Sequence, residues 1–212
     1  VKDIFKTVLS ALVIVSIFGG CSNNENEKIS GVPAENGDLD RKELSQSTPV
    51  AKIAVSTKEF RLKSVENGEI VVTKDGNSFK TEGTRLVLFD FFTTWCPACR
   101  MVAPHLGSIQ SKYPKDLTVI GVLVEEGRND AEIIEFKKKY NANYIIANST
   151  TAKENYANFK LSNELASLLR QPKSFPIPLL VMLKDGEYFT HYIGAVPEEM
   201  IESDIKEALN LR

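Results

Sequence analysis

Cysteine is scarce in this chain, with 3 in 212 residues. So few exclude a fold stapled together by disulfides, and stability has to come from packing. Histidine is scarcer still, with 2, His105 and His191. That leaves little for a zinc site, which normally takes four ligands. Neither sign of charge dominates: 26 basic residues stand against 28 acidic ones, for a net charge of −2. The balance gives no electrostatic footprint for nucleic acid. The apolar run from Val8 to Phe18 falls short of the ~20 residues that cross a bilayer comfortably.

That run suits the core of a secretory signal instead, with Lys2 and Lys6 ahead of it. Phe18-Gly19-Gly20-Cys21 resembles a bacterial lipobox, which implies cleavage before Cys21 and a lipid on its thiol. An uncleaved anchor with a free Cys21 is the other reading, and both export the rest of the chain. Residues 21–52 are rich in Asn, Glu, Ser and Gly and hold no aromatic residue. Such a segment cannot bury enough apolar surface to offset its ordering entropy, so it reads as a flexible tether. Residues 1–20 are thus expected to be a signal peptide, 21–52 a tether and 53–212 a single folded domain.

The domain opens with short strand signals at Phe60–Lys63 and Ile70–Val72, and Asp75-Gly76 is a turn dipeptide. Leu86 to Phe92 is almost continuously apolar, as in a strand covered on both faces. A helix is expected over Pro97 to Lys112, a second buried strand over Leu117 to Val124, and a helix over Asn129 to Tyr140 opened by an Asn129/Glu132 capping box. Tyr144 to Ala147 reads as a short strand. Two helices are expected over 152–159 and 162–170, then a proline-rich loop, a hairpin over Leu179–Leu183 and Tyr188–Ile193, and a closing helix from Pro197 to Leu211. A β-α-β half followed by a β-β-α half makes an α/β domain with a mixed sheet.

The chemistry is concentrated in Thr94-Trp95-Cys96-Pro97-Ala98-Cys99. Only a thiolate attacks a disulfide, so the first cysteine has to ionise readily while staying within reach. The N-terminus of a helix after a buried strand favours negative charge through its free N–H groups and dipole. Pro97 fits there because the first turn needs no N–H from it. Two intervening residues bring Cys99 round one turn towards Cys96. Cys96 is therefore the expected nucleophile and Cys99 the resolving thiol, with no cofactor beyond their own disulfide. Haem attachment needs a histidine directly after Cys99, and Arg100 is there.

Trp95-Cys96-x-x-Cys99 after an apolar strand resembles the thioredoxins. Cys99-Arg100-Met101-Val102-Ala103-Pro104 resembles their active-site helix, including its internal proline. Asp90, six residues before Cys96, matches their buried acid, and Ile177-Pro178-Leu179-Leu180 with Lys184-Asp185-Gly186 matches their cis-proline strand and turn. With the tether and the extra hairpin, the chain looks most like the TlpA/ResA-type periplasmic members. The resemblance implies a thioredoxin-like fold with a central mixed β-sheet flanked by helices and an N-terminal β-hairpin extension.

It further implies a cis bond before Pro178, with the Ile177 backbone beside the cysteines where an extended substrate adds as a strand. Trp95 and Pro97 would line the same groove, core packing being the other reading of Trp95. Asp90 would take the Cys99 proton. Burial of an unpaired carboxylate raises its pKa; a lysine partner or a solvated sheet edge is the alternative. Glu125 and Glu126 close the second buried strand, and Glu126 resembles a catalytic-edge glutamate of the subgroup, although a solvated acid is equally natural there. Implied partners are protein thiols and disulfides, among them apocytochrome c, a membrane electron donor of the DsbD/CcdA type, and the membrane through the lipid on Cys21. Ala98 offers no histidine to stabilise the thiolate. The expected potential is therefore nearer ~−270 mV than ~−120 mV, which favours reduction. A disulfide-forming oxidant of the same fold and a thiol-based metallochaperone remain as alternatives.

Overall fold

The computed structural model describes residues 57–66, 68–170 and 176–211. The expected signal peptide, tether and lipidated Cys21 lie outside the described residues, as does Pro172. No described helix is long and apolar enough to cross a membrane.

The elements run β1 (Lys58–Ser64), β2 (Gly68–Asp75), β3 (Ser78–Thr81), β4 (Leu86–Phe92), α1 (Pro97–Lys112), β5 (Leu117–Leu123), α2 (Asp130–Lys139), β6 (Ile145–Asn148), α3 (Ala152–Leu168), β7 (Leu179–Lys184), β8 (Glu187–Ile193) and α4 (Glu198–Leu209). They form an eight-stranded sheet in the order β3-β2-β1-β6-β5-β4-β7-β8. β4 pairs in parallel with β5, and β5 with β6, while β7 is antiparallel to β4 and every outer pairing is antiparallel.

β4 is buried along its whole length because each face of the sheet carries a layer. On one face Leu86, Leu88 and Phe92 of β4 pack with Val102, Leu106 and Ile109 of α1 and with Ile201 and Ile205 of α4. On the other, Val87, Phe89 and Phe91 meet Leu161 and Leu165 of α3 and the apolar side of β1–β3: Phe60, Leu62, Val72 and Phe79. Period-two alternation thus sends neighbouring residues of one strand into two separate cores.

The N-terminal extension is a meander of β1, β2 and β3 rather than a simple hairpin. It joins the rest of the sheet at Lys63↔Asn148 and Ser64↔Ala147, and just beyond them the Val65 N–H donates to the Ile146 carbonyl at 3.1 Å. It then curls over the second face until the Phe79 N–H donates to the Gly186 carbonyl in the β7–β8 turn at 2.7 Å. Gly186 has φ +89°, and a Cβ there would sit 2.8 Å from both Lys80 Cγ and Ser78 Oγ. Only glycine serves both the turn and the close approach.

α3 departs from the expected pair of helices by being one. Nothing at Lys160-Leu161 breaks it, and Leu161 and Leu165 continue one buried stripe. Ser162, where the second of the two helices was expected to begin, turns its hydroxyl back to the Phe159 carbonyl at 2.8 Å inside the helix. Asn129 and Glu132 do form the reciprocal capping box of α2.

Candidate active site

β4 delivers the chain at Phe92, and Thr93, Thr94 and Trp95 carry it to Cys96, the N-cap of α1. The Cys96 Sγ accepts the Cys99 backbone N–H at 3.2 Å, so the sulfur takes the place of an oxygen cap. Pro97 comes next, in the first turn, and is exposed. Both cysteines are free thiols. Cys99 is 1% exposed, and burial, the hydrogen bond with Cys96 and the nearby Asp90 charge hold its thiol well above the usual range, against a backbone contact with Thr93. Cys96 keeps 5% of its surface. It is the more open of the two, yet far less open than its place in the sequence suggests.

Across from Cys96 lies the loop into β7. The Ile177–Pro178 bond is cis, and the Ile177 carbonyl faces the Cys96 thiol at 3.8 Å. The Pro178 carbonyl is taken by the Gly194 N–H at 2.9 Å, which ties the loop to the end of β8. Trp95 is 60% exposed, which rules out the core-packing reading, and Met101 of α1 is also exposed.

Asp90 sits on the α1 side of β4 and is 1% exposed. Neither a lysine nor solvent meets it. Its Oδ2 accepts the Tyr144 hydroxyl at 3.2 Å, and Oδ1 has no hydrogen-bond partner among the described residues. Burial pushes its pKa up to about 7, against the hydrogen bond from Tyr144, which works the other way. Tyr144 is the residue that sequence reasoning missed. The signal available was a glycine, Gly121, in an otherwise apolar strand.

The two acids after β5 part company. Glu126 is exposed and accepts from Asn155 Nδ2 of α3 at 2.8 Å. The acid that reaches the redox loop is its neighbour, Glu125. It accepts the Thr94 backbone N–H at 2.5 Å and the Thr94 hydroxyl at 2.9 Å, and it pairs with Arg128. Arg100 Nε donates to the Thr94 carbonyl at 2.7 Å. Thr94 is therefore clamped through both of its backbone polar groups two residues before Cys96. His105 lies against the Val196 carbonyl and His191 against Tyr188. Among the described residues no three of His, Cys, Asp or Glu gather into a metal-ligand set.

A helix-capping cysteine, a second cysteine one turn on, a buried acid beneath them and a carbonyl presented by a cis-proline loop define a thiol–disulfide oxidoreductase. The thioredoxin family profile matches residues 69–171. A thioredoxin of Mycolicibacterium smegmatis is 36% identical over 77 residues, 35% of this chain and 67% of that protein. The chain belongs to the thioredoxin family. Two solved structures share the fold. A thiol:disulfide interchange protein of the thioredoxin family from Chlorobium tepidum has 17% identity and a TM-score of 0.52, covering 71% of this chain and 93% of its own. A putative protein disulfide isomerase from Bacteroides thetaiotaomicron has 15% identity and a TM-score of 0.51, covering 76% and 91%.

Proposed function

We propose that this oxidoreductase is an exported, lipid-tethered reductase of protein disulfides. The supporting observation is the Ile177 carbonyl held opposite the Cys96 thiol, flanked by the exposed Trp95. An extended polypeptide that hydrogen-bonds beside Ile177 brings its own disulfide to Cys96, as in strand addition. The Cys96 thiolate attacks one substrate sulfur and expels the other as a thiolate. Cys99, giving its proton to Asp90, then attacks Cys96 and releases the second substrate thiol. The substrate gains two electrons and the enzyme is left with a Cys96–Cys99 disulfide, which a membrane donor of the DsbD/CcdA type would reduce. Apocytochrome c thiols are one candidate product. The export signal and the lipobox at Cys21 support a location on the periplasmic side of a membrane.

A Cys99→Ser variant tests the exchange, because it leaves a substrate joined covalently to Cys96. Recovery of no adduct from cells overturns the reading. Titration against glutathione buffers tests the direction, and a potential above about −170 mV makes the protein an oxidant instead. Mass analysis of the mature N-terminus tests the lipid: an unmodified Cys21 removes the tether.

A further inference from the structure

Asp90 faces a nearly apolar chamber. Its partners across the sheet are Gly121 on β5 and Leu180 on β7, neither of which titrates. From above, α1 brings the Cys99 thiol, and α4 contributes Ile201 and Ile205 to the same core. Among the described residues, the one hydrogen bond to the carboxylate comes from the Tyr144 hydroxyl, at 3.2 Å. Tyr144 is itself 4% exposed, so its ring and hydroxyl are committed to this spot.

The ring fits because a side chain is missing. A Cβ on Gly121 would stand 3.0 Å from Tyr144 Cε2, 3.2 Å from Ile146 Cγ1 and 3.2 Å from Phe92 Cε1. Gly121 leaves the space through which the tyrosine crosses the sheet face to Asp90. Tyr144 precedes β6, so two neighbouring strands cooperate to place one hydroxyl. A buried phenol is a donor that holds no charge of its own near neutrality. Burial raises its pKa, and the adjacent Asp90 raises it further.

We infer that Tyr144 is a positioning residue that sets the ionisation of Asp90 and thereby the pH at which Cys99 can resolve the mixed disulfide. The inference rests on the reading of Asp90 as the proton acceptor for Cys99. In that step the Cys99 S–H bond breaks, its proton goes to the Asp90 carboxylate, and the Cys99 thiolate displaces the substrate thiolate from Cys96. An O–H donated to Oδ2 stabilises the carboxylate, so the acceptor form persists to lower pH than burial alone would allow.

The test measures the Cys99-dependent release of a fluorescent peptide thiol from a preformed Cys96 mixed disulfide, between pH 5 and pH 9, beside a carbon-13 titration of the Asp90 carboxyl. Tyr144→Phe keeps the ring and removes the donor. The expected result is an upward move of about one pH unit in both the carboxyl titration and the release profile. Installing 3-fluorotyrosine at 144 keeps the shape and strengthens the donor, so both should move down. An Asp90 titration that stays in place in both variants overturns the inference. Asp90→Asn separates the underlying reading: if it leaves the inflection in the release profile unchanged, another group accepts the proton and both fall. If Asp90→Asn abolishes the inflection while the two Tyr144 changes leave it fixed, the acceptor stands and Tyr144 has only a packing role.

Discussion

The two faces of the sheet solve different problems with one strand. Under α3 and the β1–β3 meander, β4 contributes Val87, Phe89 and Phe91 to a core of hydrocarbon. Under α1, the same strand contributes Leu88, Asp90 and Phe92, and the middle position is a carboxylate with one oxygen unpartnered. The first face is built for packing. The second buries an acid near the Cys99 thiol at a cost in stability, and burial raises that acid's pKa. The difference shows that one face of the sheet is apolar packing alone, while the other packs an equally apolar core around a single buried acid.

The largest expected effect is on the chemistry alone. Cys96→Ser should reduce insulin reduction to the dithiothreitol background while the thermal unfolding midpoint stays near that of the parent. On the packing face, Phe89→Ala should cost about 3–5 kcal/mol in urea unfolding, with exchange per folded molecule retained.

Asp90→Asn should do the reverse, stabilising the fold and slowing Cys99-dependent release by about a hundredfold. Below about pH 4 the acid is protonated in both states and its charge costs nothing. As pH rises the unfolded chain ionises first, and stability is lost until the folded group ionises at about 7. The advantage of Asp90→Asn should therefore grow between those values and level off at an upper bound on the order of 4 kcal/mol. A flat difference across that range would show that the two faces do not differ as described.

Glu125→Ala should release the Thr94 N–H and leave Arg128 without this partner, for about 1–2 kcal/mol of stability and slower attack by Cys96. The smallest change returns to the far face. Thr151→Ala removes the α3 capping box, which should cost about 1 kcal/mol and leave exchange unaltered. A loss of exchange in that variant would mean that the two layers are coupled.

Local chemistry made much of this legible in advance. The β4 strand, the α1 helix with Pro97 in its first turn and the α2 cap at Asn129 all rest on patterns spanning a few residues. The α3 helix was harder to read, because Ser162 signals a cap or an interior hydroxyl depending on what lies around it. Glu125 and Glu126 are indistinguishable as adjacent letters. The turn after β5 aims one at Thr94 and the other at Asn155.

Sequence alone determined where the cysteine pair and the buried acid fall, because each position is set by spacing along a strand and one helical turn. It also determined the loop at Ile177-Pro178 through its likeness to a known family. Only the tertiary structure decided that Tyr144 rather than a lysine meets Asp90, that the N-terminal meander closes over the second core, and that Glu125 holds the redox loop. Those pairings join residues 54, 107 and 31 positions apart, the middle one running from Phe79 to Gly186. Contacts at that range depend on strand order and on vacant volume such as that above Gly121, and neither is written in any short stretch of the chain.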